Sequence, residues 1–264
     1  MKIKKKIKIT IVTPTFNSEK NILKNILSIK NQRFKNIEHL IVDNLSKDKT
    51  LSLIKKNKHR KIKVISAADK GIYDALNKGI KKAKGDIISI LHSDDFYFSR
   101  KTLETIAEIF IKEDVDAVYG DLIYISKNTN KPIRYWKSNI YKKGLFKKGW
   151  SPPHPSLFLK RSLFKKFGYF KLKFGNSADF ELMRRFIEQK KIKTKYINKV
   201  LVVMKYGGKS NKNFTNILQQ NLEVIKILGI QKNIYRLSKL VIFKFTNRVF
   251  QFLNIFKKIK INDF

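Results

Sequence analysis

The chain has 264 residues, enough for one large α/β domain or for one domain with an appendage. It contains no cysteine, which excludes disulfides, cysteine-based zinc sites and thiol nucleophiles and suits a reducing cytoplasm. Its formal net charge of +39 indicates an anionic partner: nucleic acid, an anionic membrane surface or a phosphorylated substrate. A compositional bias toward lysine explains the excess of positive charge equally well. We expect neither a signal peptide nor a membrane span, because the apolar runs are too short.

The first part of the chain alternates between apolar runs and helical patterns. Pro14 stops the first run, and Asn17 or Ser18 is expected to cap a helix that reaches about residue 31. Buried strands are predicted at 7–13, 37–43, 61–67 and 86–91, and further helices at 49–57 and 71–85. This alternation predicts a doubly wound, Rossmann-like sheet that is mostly parallel.

The second part is less regular. Ser177 is expected to cap the last helix of the sheet region, and the sheet pattern ends near residue 206. The predicted elements are a helix at 102–113, a strand pair or bent strand at 115–126, a strand and helix at 157–168, and a helix at 177–190. A loop rich in Gly, Trp, Pro and His separates some of them at 147–156.

Polar side chains fall at the carboxyl ends of the predicted strands, where open α/β sheets bind ligands. They are Thr13, Thr15, Asp43, Asp69, Asp94 and Asp95. A pair of adjacent carboxylates in a basic protein favours Mg²⁺ or Mn²⁺ bridging diphosphate oxygens, so we predict a metal at Asp94 and Asp95. Asp43 is expected to accept hydrogen bonds from a base or ribose.

The segment DKGIYDALNKG places further polar groups at a loop-to-helix junction. Gly71 permits close approach of the backbone to a ligand, and the start of a helix favours anions. Asp74 and Asn77 are candidates for ligand binding, with capping or a surface position on the helix as the equal alternative.

Five motifs in register carry a family resemblance. They are VTPTFN at 12–17, VDNLSKDKT at 42–50, SAADKGIYDALNKGI at 66–80, LHSDDF at 91–96 and SADFELMRR at 177–185. Together they resemble the family-two inverting glycosyltransferases, and the similarity covers residues 7 to about 206. It implies the nucleotide-sugar-binding A-type fold and an enzyme of bacterial capsule, O-antigen or exopolysaccharide synthesis.

The resemblance also implies roles for single residues. Thr13, Pro14, Thr15 and Asp43 would line the nucleotide, and Asp69, Lys70 and Gly71 would pass beneath its base and ribose, near Asp74 and Asn77. Asp94 and Asp95 match the acidic metal motif, with Asp94 also near the nucleotide sugar. Asp179 matches the catalytic base, which takes a proton from the acceptor hydroxyl. Asp121 and Glu181 are the next candidates for that base.

The chain departs from the family pattern at three positions, which are Asn44–Leu45 after Asp43, Ala67, and His92 in place of a common Asp. His92 is expected to reach a phosphate or to pack. His154 is expected to be structural or to contact the leaving diphosphate or the acceptor. Trp150 is expected either to stack on the acceptor or to pack in the core.

We expect a catalytic domain at 1–206 and a basic amphipathic helical extension at 207–264. Its apolar stripe is Leu237, Val241, Ile242, Phe245, Val249, Phe252, Phe256 and Ile259, which either lies on an anionic membrane or packs on the domain. The expected donor is a UDP-sugar, and the expected acceptor is a glycan or a polyprenyl-diphosphate-linked sugar. We expect the protein to act at the inner face of the bacterial membrane and not to bind nucleic acid. The alternatives are a basic nucleic-acid-binding protein or a nucleotidyltransferase, although a glycine-rich phosphate loop is absent from the sequence.

Overall fold

The computed structural model describes residues 7–58, 60–206 and 214–253. The strands are β1 (Ile9–Thr15), β2 (Ile37–Asp43), β3 (Ile62–Ser66), β4 (Ile87–Ile90), β5 (Phe96–Tyr97), β6 (Ala117–Ile125), β7 (Pro132–Trp136), β8 (Leu157–Lys160) and β9 (Thr194–Lys205). The α-helices are α1 (Ile22–Lys30), α2 (Thr50–Lys56), α3 (Ile72–Lys82), α4 (Thr102–Lys112), α5 (Arg161–Phe167), α6 (Ala178–Met183), α7 (Phe214–Leu228) and α8 (Ile234–Leu253).

These strands form one sheet in the order β3-β2-β1-β4-β8-β6-β9-β5, with β7 beside β6. The first four are parallel, as the alternation of strands and helices predicts. Beyond β4 the sheet is mixed, because β8 runs antiparallel to both of its neighbours. The register sets Thr15 beside Asp43 and Asp43 beside Ser66, so the carboxyl ends of β1, β2 and β3 meet at one edge.

Helices cover both faces of the parallel strands, which explains why every residue of β1, β2 and β4 is buried. On one face, α3 lies directly on β1 and β2. Gly79 makes this close approach possible, since a Cβ atom at that position would meet Val12 Cγ1 at 2.4 Å. The position of α3 matters for function, because its first turn borders the predicted ligand edge.

The predicted cap of the first helix is wrong, and none of the predicted capping side chains bonds to its helix, because they make tertiary bonds instead. The helix α1 begins only at Ile22. Asn17 Oδ1 accepts a hydrogen bond from Lys47 N at 2.9 Å, and the Ser18 hydroxyl lies 2.9 Å from that of Ser93. Ser177 does occupy the position before α6, but its hydroxyl donates to Gln220 O on α7 at 3.2 Å.

The two C-terminal helices pack on the sheet domain. Leu240 of α8 is buried against Gly149, whose φ of +83° and close contact with Leu240 leave no room for a side chain. Gln251 accepts a hydrogen bond from Arg134 of β7 at 2.7 Å. Core packing is therefore one role of α8, although its outer face is exposed. The division at residue 206 stays a prediction, and Phe256 and Ile259 lie outside the described residues.

None of the helices within the described ranges is long and apolar enough to cross a membrane. The outer face of α8 nevertheless exposes a line of apolar side chains at helical spacing. These side chains are Ile242, Phe245, Val249 and Phe252, with exposed fractions of 61%, 70%, 41% and 38%.

Candidate functional site

The strand-end residues of the predicted nucleotide site are buried at the edge where the parallel strands end. Asp43 is fully buried, and its carboxylate accepts hydrogen bonds from Ser46 N at 3.0 Å, Ser46 Oγ at 2.5 Å and Ser66 Oγ at 3.0 Å. These bonds leave one of the roughly four lone-pair sites of a carboxylate for a ligand. The carboxylate thus organises the loop after β2 as well as the edge itself.

Thr13, Pro14 and Thr15 end β1 beside this loop and are buried. The Thr13 hydroxyl lies 3.0 Å from His39 Nε2, and Thr15 Oγ1 donates to Thr13 O at 3.4 Å. The structure brings these residues to the sheet edge as predicted, but their hydroxyls bond within the protein.

The loop before α3 is built by short-range hydrogen bonds. Asp69 Oδ1 accepts from Gly71 N at 2.8 Å, and Gly71 has a φ of +113°, which favours glycine. Asp74 Oδ2 accepts from Lys70 N at 3.0 Å and lies 3.1 Å from Lys78 Nζ. The hydrogen bond from Lys70 N and the charge of Lys78 lower the pKa of Asp74, although burial opposes them. Asp74 therefore joins the loop before α3 to the helix, and its role in ligand binding stays a prediction.

Asn77 connects α3 to the segment that precedes α6. Its side-chain amide donates to Phe170 O and accepts from Phe170 N, both at 2.9 Å. Both ends of the amide are thus engaged in a structural contact, and Asn77 serves to position a distant segment against α3.

The adjacent carboxylates Asp94 and Asp95 lie in the turn after β4. Asp95 is fully buried, and neither of its carboxylate oxygens has a hydrogen-bond partner among the described residues. Burial raises the pKa of both groups, and the charge of Asp94 raises that of Asp95 further. A buried carboxylate without partners is costly unless a cation accompanies it. The pair therefore fits a divalent metal.

This turn is held in place by α1. Asn25 Nδ2 donates to His92 O at 2.8 Å and to Asp95 O at 3.0 Å, and Asp95 N closes the turn by donating to His92 O at 3.0 Å. Within the described ranges, no group of three or more His, Asp or Glu side chains is placed to hold a metal by itself. A metal at Asp94 and Asp95 would therefore need ligand oxygens to complete its coordination.

Asp179, at the start of α6, is joined by hydrogen bonds to the same turn. His154 Nδ1 lies 3.2 Å from Asp179 Oδ2, and His154 Nε2 lies 2.8 Å from His92 Nε2. Asp179 Oδ1 accepts from Phe180 N at 2.8 Å, and the Tyr73 hydroxyl also faces the carboxylate. This chain of side chains connects the predicted base to the predicted metal turn across 87 residues of sequence, from His92 to Asp179.

The surroundings of Asp179 keep its carboxylate ionised. Burial alone would raise its pKa, but the hydrogen bonds from His154, Phe180 N and the Tyr73 hydroxyl hold the pKa below its usual value. The Asp179 side chain is 22% exposed and is therefore accessible to a ligand. The pKa of His92 falls to about 3, because partial burial disfavours its charged form and His154 lies beside it.

Trp150 packs in the core, which was the alternative to ligand stacking. It is 8% exposed, and its ring centroid lies 5.4 Å from Phe146, 5.8 Å from Tyr141 and 6.2 Å from Tyr119. A stacking role for Trp150 finds no support in this arrangement. His154, by contrast, lies next to Asp179.

The two alternative bases have structural partners. Asp121 is fully buried and accepts hydrogen bonds from the Tyr135 hydroxyl, from Ser138 N at 2.8 Å and from the Tyr196 hydroxyl at 2.9 Å. Glu181 pairs with Arg185 at 3.0 Å and with Lys171 at 2.9 Å. Both carboxylates are also less exposed than that of Asp179.

Sequence reasoning missed two side chains of this site. His92 was expected to reach a phosphate or to pack, and no local pattern pairs it with His154. Tyr73 lies within the motif SAADKGIYDALNKGI, where its sequence position indicates no role; its hydroxyl lies 3.2 Å from Asn176 O and faces Asp179. Its place one residue before Asp74 in the first turn of α3 was the available signal.

Comparison with known proteins gives the same answer from sequence and from fold. The model of glycosyl transferase family 2 matches residues 10–190. The chain is 28% identical over 227 residues to a PGL/p-HBAD biosynthesis glycosyltransferase of Mycobacterium bovis, covering 84% of this chain and 86% of that protein. It is 31% identical over 126 residues to an uncharacterized glycosyltransferase of Haemophilus influenzae, covering 47% of this chain and 50% of that protein.

Two solved structures share the fold. S. aureus TarS 1–349 aligns with a TM-score of 0.62 at 17% identity, over 97% of this chain and 77% of that one. The mannosyltransferase PcManGT from Pyrobaculum calidifontis, in complex with GDP-Man and Mn²⁺, aligns with a TM-score of 0.62 at 18% identity, over 91% of this chain and 74% of that one. These likenesses confirm the expected A-type fold.

Proposed function

Because the chain belongs to glycosyl transferase family 2 and is a glycosyltransferase, we propose that it moves a sugar from a nucleotide-diphosphate sugar to an acceptor hydroxyl with inversion at the anomeric carbon. One observation carries the proposal. Asp179, an ionised and partly exposed carboxylate, is joined through His154 and His92 to the turn that bears Asp94 and Asp95. These hydrogen bonds support a single site that contains both the proposed base and the proposed metal ligands.

On the donor side, the residues at the ends of β1, β2 and β3 and at the start of α3 would face the nucleotide. TarS has been solved with UDP-GlcNAc, and PcManGT with GDP-Man and Mn²⁺. These complexes support a nucleotide-sugar donor for this chain as well, and we propose a UDP-sugar. Asp43 is the candidate contact to the base or ribose, through its remaining lone pair.

Asp95 and Asp94 would hold Mn²⁺ or Mg²⁺ together with the diphosphate of the donor. The buried, unpartnered oxygens of Asp95 support this assignment. When bound, such an ion neutralises the negative charge that develops on the leaving diphosphate. The protein contributes a turn that two hydrogen bonds from Asn25 hold against α1.

Asp179 would accept the proton of the acceptor hydroxyl as that oxygen attacks the anomeric carbon. The C–O bond to the diphosphate breaks as the new glycosidic bond forms, on the opposite side of the sugar ring, and the pair of electrons leaves with the diphosphate. Because hydrogen bonds from His154 and Phe180 N hold the pKa of Asp179 low, the group is ready to act as a base near neutral pH.

The acceptor is proposed to be a glycan or a polyprenyl-diphosphate-linked sugar of cell-surface polysaccharide synthesis. The exposed apolar line of α8 supports binding to an anionic membrane at its cytoplasmic face, because basic side chains accompany it. These are Arg236, Lys239 and Arg248. Sedimentation with vesicles of anionic or zwitterionic lipid tests this part, with Phe245→Ser/Val249→Ser as the variant. Unchanged binding of that variant to anionic vesicles would show that α8 does not bind the membrane through this apolar line.

The transferase activity is tested with a panel of UDP-, GDP- and dTDP-sugars, lipid-linked and glycan acceptors, and Mn²⁺ or EDTA. Mass spectrometry detects the product, and NMR of its anomeric proton reports inversion or retention. We expect one class of donor to give a product only with metal. A product of retained configuration, or transfer at full rate in EDTA, would contradict the mechanism.

A further inference from the structure

Two hydrogen bonds to its backbone carbonyl group fix His92 in position. Its carbonyl oxygen accepts hydrogen bonds from Asn25 Nδ2 at 2.8 Å and from Asp95 N at 3.0 Å. Its ring meets that of His154 edge to face, with centroids 5.1 Å apart and an interplanar angle of 80°. The two Nε2 atoms are 2.8 Å apart, so one hydrogen bond joins the rings.

Only one proton can lie between these two nitrogens. If His92 Nε2–H is the donor, His154 Nε2 is the acceptor, and a neutral His154 must hold its proton on Nδ1. That proton then points to Asp179 Oδ2, 3.2 Å away. With the opposite neutral tautomer, a nitrogen lone pair of His154 would face the carboxylate, and the bond that orients Asp179 would be lost.

We propose that His92 is a positioning residue, which donates to His154, fixes its Nδ1–H tautomer and thereby orients the Asp179 carboxylate. The catalytic part of this inference rests on the proposed role of Asp179 as the base. The arrangement also occupies Nε2 of His154, which leaves the carboxylate, and not this nitrogen, as the group open to an acceptor hydroxyl. One turn thus serves the metal carboxylates and the base together.

The test reads the tautomer directly. The chain has four histidines, so ¹⁵N-histidine labelling and long-range ¹H–¹⁵N correlation resolve their ring nitrogens, and loss of a signal set in His154→Gln assigns His154. In the wild type we expect His154 with its proton on Nδ1. His92→Leu removes the donor, and we expect a mixture of tautomers or the Nε2–H form. His92→Gln retains an amide donor near the position of Nε2 and should restore the wild-type pattern.

His39 serves as the internal reference, because it lies next to Thr13 and not in this chain of hydrogen bonds. Its signals should be the same in all variants, which shows that the fold is intact. An Nδ1–H tautomer of His154 that persists in His92→Leu would overturn the inference, whether or not the enzyme is active.

A kinetic arm separates positioning from a general structural effect. We expect kcat of His92→Leu to fall about 10- to 100-fold, as for other residues that orient a ligand or base, while KM for the donor stays within about twofold. His92→Gln should recover most of the rate. If kcat falls by the same factor in His92→Leu and His92→Gln while the tautomer of His154 is unchanged, His92 is not a positioning residue. If the wild type showed no transfer at all, the proposed function would fail, and the tautomer experiment would still decide on His92.

Discussion

Replacing Asp95 with Asn should make the metal-free protein more stable. The carboxylate is fully buried, no hydrogen bond from the described residues reaches either oxygen, and Asp94 stands beside it. Asn keeps the shape and removes the charge. An unsatisfied buried polar group costs about 1 to 3 kcal/mol, and more when it is charged. The Asn amide is itself unsatisfied, so we expect a gain of about 1 to 2 kcal/mol, which is about 2 to 8 °C in Tm.

The gain should depend on pH. The folded-state pKa of Asp95 is raised above its unfolded value, because of burial and of Asp94. This group therefore lowers the stability of the wild type as pH rises from the unfolded pKa through the raised pKa, and Asp95→Asn lacks this contribution. The difference between the two proteins should be small in acid and should widen toward neutral pH.

The assay is thermal unfolding in EDTA and then in Mn²⁺ with UDP. Mn²⁺ with UDP should raise the Tm of the wild type but leave Asp95→Asn nearly unchanged. Asp121→Asn is the matched control, because Asp121 is equally buried but accepts hydrogen bonds from Tyr135, Ser138 and Tyr196. It should lose stability by about 1 to 3 kcal/mol. A lower Tm for Asp95→Asn in EDTA, or an undiminished response to Mn²⁺, would refute the reasoning.

Three further outcomes are expected. Glu181→Gln should lower the stability by about 1 to 3 kcal/mol through its contacts with Arg185 and Lys171, with kcat per folded molecule within about twofold; a large loss of kcat would return Glu181 to the candidate bases. Gly149→Ala should lower Tm in a melting experiment more than Gly144→Ala, because both have positive φ but only Gly149 faces Leu240; equal losses would contradict the packing of α8. Because the pKa of Asp179 is lowered, its carboxylate should stay ionised as pH falls from 8 to about 5, and the transfer rate should not fall through protonation of this group. A fall in rate in that range that is present in the wild type and absent in Asp179→Asn would contradict the assignment.

Much of the fold follows from local patterns. The apolar runs of β1, β2 and β4 and the helices between them are visible because parallel strands buried on both faces leave no polar alternation. The place of the two carboxylates in the fold could be predicted for the same reason, since Asp94 and Asp95 come just after such a run. Their two adjacent charges have no local explanation in a turn.

The remaining contacts depend on distant parts of the chain. Asn17 and Ser18 look like helix caps in sequence, but Asn17 bonds to the loop after β2 and Ser18 to the turn after β4. The sequence around Trp150 is the same whether its ring stacks on a ligand or packs against Tyr119. His92 and His154 are 62 residues apart, and they meet only because β8 returns antiparallel beside β4. No local sequence pattern predicts that pairing.

The central claim is that Asp179 removes the proton from the acceptor, and a single-turnover measurement of Asp179→Asn tests it most directly. Donor, acceptor and Mn²⁺ are saturating, and donor binding is measured separately by thermal shift. We predict a transfer rate about 10² to 10⁴ lower than in the wild type with donor binding retained, the loss typical of a missing general base. A rate within a few-fold of the wild type would contradict the account and place the base elsewhere.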